Sequence, residues 1–583
     1  MSGRPATLSG PRGPLTAASA ATAIVTALAE AGTRVMFGVP GGGPNLDVVG
    51  AAAAAGLRFV LAHTETAAAI MAATSADLTG APGAVLVTRG PGLASAINGI
   101  AHAALDRLPL VVIADTVRAA EAGRVSHQRL DQAALSRPVA KAVLTAGGEQ
   151  AGPVAARLVS QALAAPPGPV IALMDDSAPA SLIGPADQAW WPADDLSPLV
   201  SALRTARRPV LILGARAIAH TAAIRMAVAG RGLPVLHTYR ARGVVPDSGP
   251  EAAGLVTGGT MEWPLLAQAD LIIGLGVDEA EMIPAAWDYA APTVLVGEWP
   301  AGCTGATGYF GGATTLTAPL PGAIGVLAGW APPAGPGWAP AAGRAARADA
   351  AHRLLQAAAA PAGATAPALP AAPAPNGALA PQRVAALVRE HAPADTIATV
   401  DAGAHMLAVM PLWEVDQPGR LLISSGLATM GFALPAAIAA ALSAPGRPVV
   451  ACAGDGGLGM TLAEIETAVR LRLRIVVIVF NDATLSLIKI KQRPAGQGGA
   501  EAVDYAPVSF AGVATAMGAA AAAAGTEAEL VAALETALRR DGPTVIDAAV
   551  DPACYPAIME LSRGDAGRRA VPGLTQAGGE PNR

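Results

Sequence analysis

The chain has 583 residues, enough for about three domains of ordinary size. Apolar residues reach 52% while aromatics stay at 3%, so the apolar excess is an Ala and Gly bias, and no run of about twenty apolar residues free of Gly, Pro and charge marks a spanning helix. A net charge of −5 with dispersed Lys and Arg excludes a nucleic-acid footprint, and three scattered cysteines (Cys303, Cys452, Cys554) exclude a disulfide framework or a Cys metal cluster. A cytoplasmic protein with a small-molecule substrate, and with no nucleic-acid or membrane partner, is the expectation.

Residues 1–14 predict a disordered N-terminus: two arginines are followed by small and polar residues rather than an apolar core, so no secretory signal is expected. From residue 15 to 185, strands and helices alternate. An Ala-rich helix over 16–31 stops at Gly32, which suits a left-handed cap. A strand over 34–39 runs into Pro40-Gly41-Gly42-Gly43, a turn where backbone can approach a ligand closely. A strand over 57–62 ends at His63-Thr64-Glu65, ahead of a helix over 67–78. A buried strand over 84–88 leads into Arg89-Gly90-Pro91-Gly92, and another strand follows over 110–114. The second block, 195–330, predicts strands over 209–213, 234–237, 271–275 and 293–296, and its turn Gly214-Ala215-Arg216 lacks the full dinucleotide pattern. Residues 331–378 turn to Ala, Pro and Gly and read as a linker with one helix around 344–358. The third block, 379–563, opens with a helix carrying Pro381 near its first turn, and residues 564–583 read as a flexible tail. This alternation predicts an α/β class: three consecutive domains with mostly parallel sheets flanked by helices.

The third block holds the most specific local pattern. A strand over 448–453 runs into Gly454-Asp455-Gly456-Gly457, a helix follows over 461–471, and the next strand, 475–480, ends at Asn481-Asp482, 27 residues after Asp455. Both acids stand at carboxyl ends of strands, where open α/β sheets place their ligands. Such a pair can grip Mg²⁺, which takes octahedral oxygen ligation through one or two carboxylates plus substrate phosphates. Gly454, Gly456 and Gly459 also spell G-x-G-x-x-G with Asp482 near the ribose position, so a dinucleotide site stays open here, as does a plain structural turn. Against the dinucleotide, Asp455 inside the turn repels a pyrophosphate unless a cation sits between them.

An ordered set of motifs across residues 15–563 goes further: Val35-Met36-Phe37-Gly38-Val39-Pro40-Gly41-Gly42, the Glu65 segment, Thr88 to Gly92, Asp401-Ala402-Gly403-Ala404-His405, Thr429-Met430-Gly431-Phe432-Ala433-Leu434-Pro435, and the Gly454 to Asp482 motif. Together they resemble the thiamine-diphosphate enzymes of the acetohydroxyacid (acetolactate) synthase and pyruvate decarboxylase superfamily. The resemblance implies a pyrimidine-binding domain (15–185), a central domain (195–330) and a diphosphate-binding domain (379–563), the first and third facing each other across a subunit interface in a homodimer or homotetramer. Its implied cofactors are thiamine diphosphate and Mg²⁺.

Residue by residue, the resemblance makes Glu65 the catalytic glutamate that hydrogen-bonds the pyrimidine ring; on its own the same residue also reads as an ordinary Glu opening a helix. Met430 matches the apolar prop that bends the cofactor, although Met in an Ala-rich segment is more often simple core packing. Asp455 and Asp482 match the metal ligands, with the Thr484 carbonyl as third ligand, and many relatives carry Asn at the position of Asp482. Thr429, Gly454, Gly456, Gly457 and His405 fall at cofactor-binding positions, His405 alternatively being a surface histidine. Gly41, Gly42, Gln128, Lys141 and Lys491 are substrate-side candidates, with Asn45 reaching toward the same place; Lys491 offers a cation to a substrate carboxylate or is an exposed helix charge. The stretch from Gly254 to Thr260 lacks the Met-His of flavin-binding synthases and Asp278-Glu279-Ala280-Glu281 replaces their Asp-Asp-Arg, so FAD is not expected. The implied activity is decarboxylation of a 2-oxo acid with carboligation or protonation. Cleavage of a 2-hydroxy ketone, hydrolysis of a cyclic dione, and a catalytically inactive cofactor-binding subunit are the alternatives; joint retention of Glu65, Met430, Asp455 and Asp482 speaks against the last.

Overall fold

The computed structural model describes residues 17–121, 123–146, 151–175, 181–183, 191–283, 285, 287–300, 309–357, 378–491 and 502–564. The expected N-terminal segment 1–14, the tail beyond 564 and the stretch 358–377 lie outside the described residues. The chain forms two compact units, Met1–Gln188 and Ala189–Arg583.

The first unit holds β1 (Val35–Val39), β2 (Arg58–Leu61), β3 (Gly83–Val87), β4 (Leu110–Asp115), β5 (Ala142–Ala146), β6 (Pro169–Met174) and β7 (Ser181–Ile183), in the order β2-β1-β3-β4-β6-β5-β7. All neighbours are parallel except β5 and β7. β3, β4 and β6 are buried at every position, as continuous apolar runs in a sheet covered on both faces should be. The helices Pro44–Ala54 and Pro91–Leu105 each open on a proline after a glycine in the left-handed region, Gly43 at φ 62° and Gly90 at φ 62°. Proline suits that first position, where its missing N–H has no intrahelical partner to lose. The helix Glu65–Thr79 is capped by Thr64, whose side chain accepts from Ala67 N at 3.2 Å, and it ends at left-handed Gly80.

The second unit holds two sheets. One comprises β8 (Pro209–Leu213), β9 (Val235–His237), β10 (Ala252–Leu255), β11 (Leu271–Leu275), β12 (Thr293–Gly297) and β13 (Thr314–Thr317), ordered β10-β9-β8-β11-β12-β13. The other comprises β14 (Ile397–Val400), β15 (Leu421–Ile423), β16 (Val449–Gly454), β17 (Ile475–Asn481), β18 (Ala520–Ala524) and β19 (Thr544–Ala549), ordered β15-β14-β16-β17-β19-β18. Both are parallel throughout. The helix expected over 461–471 is in fact two, Asp455–Thr461 and Glu464–Arg470, so Asp455 itself opens a helix.

The described part of the expected linker, up to residue 357, lies against the first of these sheets. Trp338 donates to the Pro209 carbonyl at 2.8 Å, Arg344 N donates to Pro250 O at 3.1 Å, and the helix Ala342–Leu355 buries Leu354. A few apolar anchors hold a segment whose Ala, Pro and Gly content suggested only a tether. The two sheets are joined by a buried ion pair: Arg242 bonds Asp247 and donates to the carbonyls of Met410 and Trp413, each at 2.8 Å. Burial opposes the Asp247 charge, but Arg242 and the Val415 N–H hold its carboxyl below the usual value.

Candidate cofactor site

In the first unit, the turns after β1, β3 and β4 meet around a cavity of about 550 Å³ lined by Gly41 to Pro44, Thr88, Arg89, Asp115, Thr116, Arg118, Glu121 and Gln128. Gly41 is required by packing: a Cβ there would lie 2.2 Å from Thr88 Oγ1. Its N–H donates to Asn45 Oδ1 at 2.7 Å, and the Nδ2 of fully buried Asn45 has no partner among the described residues. Gln128 is exposed and sits at φ 56°, with its carbonyl packed where a Cβ on Gly90 would be. Glu65 stands at the carboxyl end of β2, half-buried, with Oε1 beside Gly92. Lys141 stands apart from this group. Its N–H bonds Pro169 O, so it lies at the amino ends of β5 and β6, and its Nζ donates to the carbonyls of Gln161 and Ala164. Burial pushes it down to about 8. A lysine spent on two carbonyls at that edge is a structural cap, and it drops out of the substrate set.

In the second unit, a cleft of about 300 Å³ opens at the carboxyl ends of β14, β16 and β17. It gathers His405, Met430, Gly454, Asp455, Gly456, Gly457, Asp482, Thr484 and Lys491; Thr429 is buried behind it, its N–H donating to Ser424 Oγ at 3.3 Å. Asp455 spans the two strand ends. Oδ1 accepts from Gly456 N at 2.7 Å, and Oδ2 from Ala483 N at 2.6 Å and Asp482 N at 3.2 Å. Asp482 accepts from Thr484 N at 3.2 Å and from Ser486 Oγ at 2.5 Å. Burial raises Asp455, and burial together with neighbouring Asp455 pushes Asp482 up to about 7 against the bond from Ser486. Asp455 and Asp482 are thus two carboxyl groups close together in a partly buried cleft, where a cation between them would offset their repulsion.

Glycines of the 454–457 turn and the apolar Met430, Phe480, Leu485, Leu487 and Ile488 line the rest of the cleft. A Cβ on Gly456 would fall 2.4 Å from the Tyr505 hydroxyl and 3.3 Å from Met430 Cε, so the turn must be glycine and Met430 reaches over it. His405 is not a surface residue: it is buried, stacked on Phe480 at 5.3 Å, and burial pushes it down to about 4, so it is neutral. His405 lines the cleft, and its Nε2 is buried with no partner among the described residues.

Two contributors escaped the sequence reading. Asp401, at the end of β14, accepts from Phe432 N at 3.0 Å and from Ala402 N and Gly431 N at 3.1 Å, fixing the turn that carries Met430. Tyr505 places its hydroxyl 3.4 Å from Asp455 Oδ1. Asp401 was visible as part of a matching stretch, but its bonds cross about thirty residues; nothing local marks Tyr505.

Models of the thiamine pyrophosphate enzyme N-terminal TPP binding domain, central domain and C-terminal TPP binding domain match residues 18–135, 196–295 and 401–548. A 2-hydroxyacyl-CoA lyase of Oryza sativa subsp. japonica is 31% identical over 581 residues, covering 90% of this chain and 94% of that protein. The chain belongs to the thiamine pyrophosphate enzyme family. Among its relatives, an acetolactate synthase of Bacillus subtilis (strain 168) is 28% identical, over 91% of this chain and 92% of that one. In fold, this thiamine pyrophosphate enzyme family member is similar to the Rhodococcus jostii RHA1 thiamine diphosphate-dependent 4-hydroxybenzoylformate decarboxylase, at a TM-score of 0.72, 22% identity and coverage of 91% and 99%. The dinucleotide reading of Gly454 to Gly459 gives way, since these glycines lie in the C-terminal TPP binding domain.

The central sheet has its own strand-end crevice, where the order reverses between β8 and β11. Glu281 fills it. Its buried carboxylate accepts from Ala215 N at 3.0 Å and from the Thr238 hydroxyl, and burial pushes it up to about 7.

Proposed function

We propose that the chain is a flavin-free carboligase or decarboxylase that uses thiamine diphosphate and Mg²⁺ to act on a 2-oxo acid. The observation that carries this reading is the cleft at β16 and β17, where Asp455 and Asp482 crowd together beside a glycine cradle, a neutral histidine and Met430. Asp455, Asp482 and the Thr484 carbonyl hold the metal. Gly454, Gly456, Gly457 and His405 hold the diphosphate, with Thr429 supporting the turn behind. When bound, the cofactor supplies an electron sink for the bond to the departing carboxylate. Met430 presses on the cofactor from the apolar wall, and Glu65 hydrogen-bonds the pyrimidine and holds a proton there. Gly41, Gly42 and Gln128 face the substrate, and Lys491 offers it a cation. In this reading Glu65 comes from a second copy in a cytoplasmic homodimer or homotetramer. Glu281, a buried carboxyl that takes the Ala215 N–H at the central crevice, supports the absence of FAD. No helix of the described residues is long and apolar enough to cross a membrane.

Acetolactate synthase relatives support a 2-oxo acid substrate. The lyase relative supports a second reading, cleavage of a 2-hydroxy ketone or hydroxyacyl compound with the same cofactor. Mass spectrometry of products after incubation with thiamine diphosphate, Mg²⁺ and panels of 2-oxo acids and acyloins tests both. Consumption of a 2-oxo acid with release of CO₂ is expected; cleavage of acyloins alone would replace the first reading with the second.

A further inference from the structure

Three basic side chains line the cofactor cleft: His405, Lys491 and Arg563. His405 is neutral and Lys491 is already assigned to the substrate, which leaves Arg563 as the cation without an assigned role. Lys491 is exposed, and its neighbour Lys489 is already engaged by Asp504 at 2.9 Å. Arg563 closes the helix Tyr555–Arg563, and that end is fixed from the central sheet's side. Leu561 O accepts from Thr260 N at 3.2 Å and from Thr260 Oγ1 at 2.8 Å, and Gly259 lies so close to Ser562 that a Cβ there would be 2.2 Å from its carbonyl oxygen. The half-buried guanidinium is hydrogen-bonded to buried Tyr239.

Two observations indicate that this arginine is set for a ligand. Neither Arg563 nor Lys491 takes part in an ion pair among the described residues. Arg563 lines the cleft and is half-buried, its Nε covered by protein, so that the guanidinium's outer edge is the part a bound group can meet. A guanidinium fork with an ammonium beside the same cleft matches a carboxylate.

We propose that Arg563, positioned by Tyr239 and assisted by Lys491, recognises a substrate carboxylate that survives the reaction. The inference rests on the 2-oxo acid reading above. A carboxylate that departs as neutral CO₂ loses its ionic contacts on the way, so a cation clamp there would stabilise the ground state and slow the reaction. Contacts to a carboxylate that keeps its charge carry no such cost. The group recognised is therefore the carboxylate of an acceptor 2-oxo acid or the far carboxylate of a dicarboxylic donor.

Calorimetric titration of the full chain, with thiamine diphosphate and Mg²⁺ present, tests this with three inert probes: oxamate, its neutral counterpart oxamide, and glutarate. Oxamate or glutarate should bind at least about tenfold more tightly than oxamide, as expected for a charge-assisted pair. Preference for oxamate assigns the site to an acceptor 2-oxo acid, and preference for glutarate assigns it to a dicarboxylic donor. Arg563→Gln should abolish the preference, Arg563→Lys should restore part of it, and Tyr239→Phe should weaken it. Lys491→Gln changes an exposed side chain and should reduce the preference several-fold even if the Arg563 variants fail to fold. Equal binding of carboxylates and oxamide, or a preference unchanged in the glutamine variants, overturns the proposal. Turnover of 2-oxo acids is read separately. A chain that turns over none yet keeps the Arg563-dependent preference sinks the proposed reaction and leaves this site standing; turnover without the preference does the reverse.

Discussion

Replacing Asp401 by Asn probes the buried support of the cofactor cleft. Asp401 is 1% exposed, and burial pushes its carboxyl up to about 7 even though three backbone N–H groups favour the ionised form. Between the ordinary value of 3.8 and about 7, the folded chain keeps a proton that the unfolded chain has lost, so stability falls as pH rises through this window and levels off above it. About three pH units at ~1.4 kcal/mol each amount to roughly 4 kcal/mol. Asn has the same shape and does not titrate, so the stability of Asp401→Asn relative to the parent should rise by roughly that amount between about pH 4 and pH 8. Other titrating groups cancel in the difference. In thermal midpoints this is about 5 °C for a unit of this size. At every pH the Asn amide turns an N–H toward backbone donors, so the turn bearing Met430 loosens and thiamine diphosphate affinity should fall about tenfold. Midpoints of the two proteins that stay parallel across this pH range would refute the assignment of a raised, buried carboxyl.

Glu65→Gln should keep cofactor affinity within a few-fold while turnover drops at least about 100-fold, because a general acid–base contact is lost and the binding groups are not. Mixing subunits of that variant with subunits of Asp455→Asn should restore up to about a quarter of the parent activity if each site draws on two copies, and none if it does not. Arg242→Met leaves buried Asp247 without its cation and should cost about 3–5 kcal/mol, measured by denaturant midpoint; a stability equal to the parent's would show that the pair contributes nothing. Glu281→Ala frees Ala215 N and removes a carboxylate from the central crevice, so affinity for adenosine diphosphate should rise at least about tenfold by calorimetry. Unchanged nucleotide affinity would mean that Glu281 does not guard that crevice.

Much of the scaffold was legible because parallel strands buried on both faces read as continuous apolar runs, and Pro209–Leu213, Leu271–Leu275 and Ile475–Asn481 do so. Ala-rich composition hid other elements. The helix Pro44–Ala54 shows no apolar stripe, and β7 is three residues long, short of any periodic signal. The strand-end pair Asp455 and Asp482 was legible for a local reason, since strand, turn and carboxylate are contiguous in the chain. Glu65 was not: Thr64 caps its helix as any threonine would, and only the ordered set of motifs singled it out.

Positions whose role depends on distant partners divide differently. Asp401 holds Gly431 and Phe432, and Tyr505 reaches Asp455 from fifty residues away, so neither role has a local signature. Lys141 shows the opposite failure. Its place in the motif order suggested the substrate, but side chains serve a parallel sheet's ligand only from the carboxyl edge, and Lys141 enters β5 from the other end. For a chain of this class, edge is therefore the stronger criterion. A polar residue at the carboxyl end of a strand becomes a candidate when it lines the cleft there, as His405 does, and ceases to be one when backbone carbonyls already satisfy it, as they do Lys141.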